Sequence, residues 1–262
     1  MELKEAIGKR RSIRFYKPWR PVEREKIQTI LEAARLASRA VNAAYAKAIV
    51  IYRDDLDPEV RDQFKTPTTS TQLDLAPVWI LWYGDMEAIN RTNHAATLKE
   101  LIDVGALAPS QGWTYAYIDD VVWPQYLQIA AENHSIGIHV VLPDVGVAMC
   151  QALLAAVDEG LGTQLTSFNS SAAKELFDVP DSWMPVYAQL VGYPAEDVEG
   201  GGQRPREPFE EDFFEGKYGN PFRRDDAVVD QLRAAGMIRE PAPAPWRRDE
   251  LRALAAMFEL PE

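Results

Sequence analysis

Cysteine is almost missing from this chain of 262 residues: Cys150 stands alone, so no internal disulfide can staple the fold, and a reducing compartment suits it. Histidine is nearly as scarce. His94, His134 and His139 are the full complement and show no metal-ligand spacing, which leaves them surface or pocket roles and the chain without a metal site. There is no Gly-x-Ser-x-Gly elbow, no phosphate loop ending in Gly-Lys-Ser/Thr, and no three-glycine dinucleotide fingerprint after a strand, so the hydrolase and kinase readings lack their signatures. A charged-then-apolar leader and an unbroken apolar run of 18 residues are also lacking. The expectation is therefore a cytoplasmic protein.

Positive charge is in short supply overall. The net charge is -12 and the pI is near 4.8, which argues against nucleic acid or an anionic membrane as partner. Yet residues 1–26 carry nine Lys or Arg against four Glu, a local excess of cation in an acidic chain. Either it is a solvated basic surface paired with acidic regions of the same protein, or it is an anion site. Arg10, Arg11, Ser12 and Arg14 favour the second. In an extended segment alternate residues share a face, which puts Arg10, Ser12 and Arg14 together and turns Arg11 and Ile13 away.

What the chain does have is hydrophobic content, 47 %, enough for one large domain or two small ones. Its centre is Pro143–Thr163. Between Asp144 and Glu159 only Gln151, Asp158 and Glu159 are polar, so the stretch reads as a buried helix, with Asp144 as N-cap and Gly160 as its left-handed end. Sixteen residues make about 24 Å, short of a bilayer span. Small residues along it suit close contact in a core or a subunit interface.

Around this helix the periodicity predicts short helices at 1–9 and 58–64, and longer ones at 23–38, 88–104 and 124–136. Leu3, Ala6 and Ile7 form the apolar side of the first, and Ile27, Ile30, Leu31, Ala34 and Leu36 the stripe of the 23–38 helix. Strands are predicted at 46–53, 76–85 and 184–194, the second a central one covered on both faces. Thr163–Ser171 reads as a polar loop, followed by a helix ending near Phe177, and Ala195–Gly202 as an acidic, glycine-rich linker. Beyond it lie helices at 227–235 and 248–258, separated by a spacer containing Pro241, Pro243 and Pro245. This tail is expected to wrap its own domain or a second subunit.

Four pieces in this order resemble the FMN-dependent nitroreductase family: RRSIRFY (10–16), LAPVWILW (75–82), DVGVAMCQALLAAVDEGLGT (144–163), and LVGYPAE followed by QRPREPFEE (203–211). The resemblance covers residues 7–211. It implies an α+β fold with a mostly antiparallel sheet flanked by helices, a homodimer with the central helix in its interface, and one FMN in each of two interfacial sites. A C-terminal extension, 212–262, lies outside it. Carried over residue by residue, Arg10, Arg11, Ser12 and Arg14 belong to the FMN phosphate and its surroundings, with Arg204 and Arg206 closing on the same phosphate. Gln72 falls at the donor to the flavin's pyrimidine edge. Leu165, Thr166, Ser167 and Phe168 fall where a backbone N–H faces flavin N5.

Residues 38–46 depart from the family's Pro-Ser-x-x-Asn-x-Gln-Pro-Trp pattern: Asn42 is kept, but Arg39 takes the serine position and Ala44, Tyr45 and Ala46 replace the last three. Arg39 then becomes a phosphate or substrate contact. The implied activity is reduction of FMN by NADH or NADPH, then of a nitroaromatic, quinone or similar planar acceptor. Trp113, Tyr115, Tyr117 and Trp123 are candidates for the substrate lid. The rebuilt 39–46 segment also leaves open a flavin-dependent oxidase or dehydrogenase, a flavin-consuming enzyme, and a non-enzymatic flavin binder whose tail blocks the pocket.

Overall fold

The computed structural model describes residues 1–241 and 244–261; Pro243 of the proline-rich spacer lies outside them. Four strands, β1 (Ala46–Tyr52), β2 (Val78–Asp85), β3 (Gly162–Thr166) and β4 (Trp183–Gly192), form an antiparallel sheet in the order β1-β2-β4-β3. The helices up to the middle of the chain are α1 (Leu3–Lys9), α2 (Arg24–Arg35), α3 (Pro58–Phe64), α4 (Ser70–Leu75), α5 (Arg91–Asp103), a single turn α6 (Tyr115–Tyr117) and α7 (Gln128–Glu132). After them come the long α8 (His134–Asp158), α9 (Ser170–Leu176), α10 (Phe209–Asp212), α11 (Asp226–Ala234) and α12 (Arg247–Met257).

β2 is hydrogen-bonded on both edges and buried at every position except Asp85, as its apolar run requires. Alternation sorts its side chains into two cores. Val78, Ile80 and Trp82 face α2 and α8, whereas Trp79, Leu81 and Tyr83 pack against Phe64, Leu73 and Ala173 of α3, α4 and α9. Pro185, which has no N–H to give, sits at the register shift between β2 and β4. The predicted loop 163–171 is in fact β3 plus the start of α9. GTQLT has no alternation of its own and becomes a strand because β4 supplies its hydrogen bonds.

α8 starts ten residues before the expected point. Asn133 caps it, its side chain accepting from the N–H groups of Ser135 (3.1 Å) and Ile136 (3.3 Å). The helix then runs through Pro143, which has no N–H for the carbonyl four residues back. Asp144 is thus not an N-cap: it is a buried interior residue whose carboxylate accepts the N–H of Ala40 at 2.8 Å. Gly160 does end the helix region at φ +74°. At 25 residues α8 is about 38 Å long, and it is long and apolar enough to cross a membrane. One stripe, including Val141, Val145, Ala148, Ala152 and Ala156, is buried against α2 and the sheet. The helix is not buried all round, since Ile136, Leu142, Val147 and Cys150 are exposed. Leu3, Ile7 and Leu36 are likewise exposed, against the sequence reading.

The expected helix 124–136 is replaced by a π-helix, Ile118–Leu127, and then α7. Pro124 cannot donate, and the N–H of Gln128 reaches back five residues to Trp123. Trp123 closes over His94, which is fully buried, with ring centroids 6.1 Å apart. His94 Nε2 lies 2.6 Å from the Tyr45 hydroxyl, and Nδ1 has no partner among the described residues.

Burial lowers the pKa of His94, so between its folded value and the unfolded value of about 6.5 the unfolded chain binds more protons. Stability is then expected to fall as pH drops below about 6.5, by up to roughly 1.4 kcal/mol per pH unit. Asp144, raised by desolvation, acts in the opposite sense. Urea melts at pH 7 and pH 5 check this: His94→Gln flattens the difference if the histidine is its source.

Candidate functional site

The segment between α1 and α2 is held as an extra edge to the sheet. The Ile13 N–H donates to the Thr163 carbonyl of β3 at 3.1 Å, Ser12 bridges Thr163, and Tyr16 bridges Pro194 beyond β4. Extended backbone here produces the expected alternation. Arg11 and Ile13 are buried, while Arg10, Ser12 and Arg14 line a cavity of about 610 Å³.

Arg204 and Arg206 line the same cavity from the far end of the sequence. Burial lowers the pKa of the Arg10 guanidinium, and the nearby charge of Arg206 lowers it further. Guanidinium groups that disfavour one another's charge favour an anion between them. Lys9 and Arg239 also line it, Lys9 paired with Glu5 at 2.6 Å and Arg239 with Glu199, the one carboxylate of the lining among the described residues. Arg14 and Arg206 spend only local hydrogen bonds, to the Ser12 carbonyl at 3.3 Å and the Pro205 carbonyl at 3.1 Å. Their remaining donors have no partner among the described residues. A phosphate dianion matches this donor set in charge and in the planar fork geometry of arginine.

Arg11 belongs to a different structure. It touches the cavity, but its Nε donates to the Val198 carbonyl at 2.6 Å, and its Nη2 to the Asp197 carbonyl, 3.5 Å from Glu196. Glu196 is 4 % exposed and accepts the backbone N–H groups of Arg14 and Phe15, the latter at 3.1 Å, and the guanidinium of Arg247. The expected linker is therefore the anchor of the arginine segment. Sequence reading missed Glu196 because its partners lie 51 to 185 residues away, with no local pattern to betray them. It also missed Gln203, Met237, Ile238 and Arg239, which wall the cavity from the 196–203 stretch and the tail.

The remaining candidates lie elsewhere. β3 runs from Thr163, beside Ser12, to Thr166, which sets Leu165–Ser167 roughly 7–13 Å along the chain from the phosphate end. Ser167 Oγ is 3.4 Å from Thr66 Oγ1, and Thr66 bonds Thr69 at 2.8 Å just before α4, which carries Gln72. Gln72 and the 165–167 backbone thus share one neighbourhood.

Arg39 and Asn42 do not line the cavity. Arg39 donates to the Arg35 carbonyl at 2.8 Å, and Val41 and Asn42 both adopt positive φ, at 49° and 58°. Trp113 and Tyr117 meet edge to face at 5.7 Å, and Tyr115 donates to Asp103. Trp123 is buried on His94, which corrects its assignment to an open lid. Among the described residues no His, Cys, Asp or Glu cluster fits a metal ion.

Comparison with known proteins places this geometry. A Staphylococcus haemolyticus (strain JCSC1435) protein described as an NADPH-dependent oxidoreductase is 38% identical over 78 residues, spanning 29% of this chain and only 31% of that protein's length. An Exiguobacterium sibiricum 255-15 protein solved in complex with FMN superposes with a TM-score of 0.62 at 22% identity, covering 79% of this chain and 94% of its own. The nitroreductase family protein of Streptococcus pneumoniae TIGR4 gives 0.59 at 21% identity, covering 78% and 96%. At such identities the likeness carries the fold alone. The Nitroreductase family itself matches residues 7–193, a span holding all four strands, α8 and the Arg10–Arg14 segment but neither Arg204 nor the tail, and on that match the chain belongs to the nitroreductase family.

Proposed function

We propose that the protein is an FMN-dependent oxidoreductase that takes electrons from NAD(P)H and passes them to a nitroaromatic, quinone or similar planar, electron-poor acceptor, the two substrates alternating at one site. The observation that carries this reading is the meeting of Arg10 and Arg14 with Arg204 and Arg206 around one cavity. Bound FMN would supply hydride chemistry there. Arg10, Arg14, Arg204 and Arg206 would hold its phosphate, with the Ser12 hydroxyl beside them. Gln72 would serve as donor to the ring where negative charge grows on reduction, and the Leu165–Phe168 segment would supply a backbone N–H to it. Arg11 does not join them; it positions the segment through Glu196.

The reading includes a homodimer. Ile136, Leu142 and Val147 leave an apolar stripe of α8 in solvent, and a second copy covering it would bring in the 39–42 segment, with Arg39 and Asn42, as the other wall of the flavin site. Trp113, Tyr115 and Tyr117 then serve as the acceptor's aromatic cover. We place the protein in the cytoplasm, with neither nucleic acid nor membrane as partner.

Two spectra test the proposal. Protein as purified, or loaded with FMN and desalted, is expected to be yellow, and anaerobic NADPH or NADH is expected to bleach it within seconds. NADPH is the donor to try first, the Staphylococcus haemolyticus relative being described as dependent on it. Flavin that stays oxidised with both nicotinamides would favour the oxidase or dehydrogenase chemistry instead. Protein that retains no flavin would end the reading.

A further inference from the structure

We infer that α12 is the latch of the phosphate cavity, and that Arg247 is its positioning residue. The inference rests on the FMN reading and adds a part of the chain that lies beyond the family-matched span. Arg247 pairs with Glu196 through Nη2 and with Glu250 through Nη1, the latter at 2.5 Å. Glu250 in turn accepts the Asp197 N–H at 2.5 Å. Both carboxylates that fix the 196–197 backbone thus meet on Arg247, with Arg11 a second, longer contact to Glu196 at 3.5 Å. Glu196 spends its other oxygen on the N–H groups of Arg14 and Phe15, the backbone that aims Arg10, Ser12 and Arg14 into the cavity.

The far end of the helix grips the same segment. Phe258, just past α12, stacks on Phe15 and Trp19, with ring centroids 6.1 Å apart in each pair. The latch therefore has a polar end, which reaches Arg14 and Phe15 through Glu196, and an aromatic end placed directly on Phe15 and Trp19. Upstream, the turn after α11 packs backbone to backbone on α1: a Cβ on Gly8 would run into the Gly236 carbonyl oxygen. A methyl group is too much at that contact, so the tail sits against the base of the Arg10 segment.

A latch on the phosphate end has a signature that a general loss of stability lacks. Riboflavin shares the ring and ribityl chain of FMN but has no phosphate. In the full-length protein, Arg247→Ala is expected to raise the FMN dissociation constant about tenfold or more, the loss of roughly one charge-assisted hydrogen bond at the phosphate. Riboflavin affinity, read by the same flavin-fluorescence titration, is expected to stay within about twofold, a margin well under one such bond. Arg247→Lys keeps the charge beside Glu196 and is expected to recover part of the FMN affinity. Phe258→Leu releases the aromatic end while keeping the ion pairs, and is expected to reproduce the same selective loss should Arg247→Ala not fold. FMN binding unchanged in both Arg247→Ala and Phe258→Leu, or FMN and riboflavin weakened equally, overturns the latch while the FMN reading stands. Wild-type protein that binds no FMN overturns both.

Discussion

Replacing Arg206 by glutamate is expected to leave a folded protein that no longer holds flavin. Among the described residues the side chain makes no tertiary hydrogen bond or ion pair; its one bond there is to the carbonyl of the preceding residue. Removing it therefore costs the fold little. Its positive charge bears on Arg10, and the two come from opposite ends of the sequence, so the arginine matters only if something anionic lies between them. Charge reversal takes away an arginine–phosphate pair and puts a carboxylate where a dianion must sit, a combined loss of about a hundredfold or more in FMN affinity. A thermal melt within a few degrees of wild type, alongside an FMN titration, separates this from unfolding. Unchanged FMN affinity would remove Arg206 from the site.

Glu196→Ala is expected to give the largest loss of stability among single substitutions near the site. Its side chain is almost wholly buried between Arg11 and Arg247, whose side chains are 7% and 14% exposed. Deleting it takes the buried carboxylate from two guanidinium groups, which keep only their other partners, the Val198 and Asp197 carbonyls for Arg11 and Glu250 for Arg247, and from two backbone N–H donors, in a place water reaches poorly. Breaking one side of a buried pair costs about 3–5 kcal/mol, a large part of a typical domain's total stability. Glu196→Gln keeps the shape and one acceptor, and is expected to fall between the two. Denaturant melts of all three proteins, compared by midpoint at equal slope, give the ordering. If alanine were tolerated at less than about 1 kcal/mol, the cost of an exposed pair, the Glu196 network would be surface decoration and the latch would lose its anchor.

Much of this architecture is legible in the residues because short-range physics decides it. α3 follows from Pro58 at a first helical position and a four-residue apolar spacing, β1 and β4 from β-branched apolar runs, and β2 from a run with nowhere to go but a sheet interior. The alternation of Arg10, Ser12 and Arg14 against Arg11 and Ile13 is equally local: an extended backbone allows no other arrangement. The mistakes share a cause as well. Pro143-Asp144 has the chemistry of a helix start, yet the Ala40 N–H claims the carboxylate and Asn133 provides the real cap. β3 exists because β4 is beside it. Glu196 looked like linker acidity because the two arginines that need it are far away in sequence and near in space. Apart from the Asn133 cap, which is local, tertiary contacts decided these, and no window of neighbouring residues contains them.

Tyr45 shows how a departure from the family pattern can be structural. Its hydroxyl is spent on buried His94 and its ring fills the core between β1 and α5. The change from the family's proline at 45 thus serves the interior, while Arg39 and Asn42 stay outside that core.

The most direct measurement is a crystal structure of the protein grown with FMN. The account expects the phosphate within about 3 Å of guanidinium nitrogens of both Arg10 and Arg206 of a single chain, the ordinary reach of a charge-assisted hydrogen bond, with Ser12 beside it. A phosphate bound elsewhere, with these two arginines facing solvent, would contradict it.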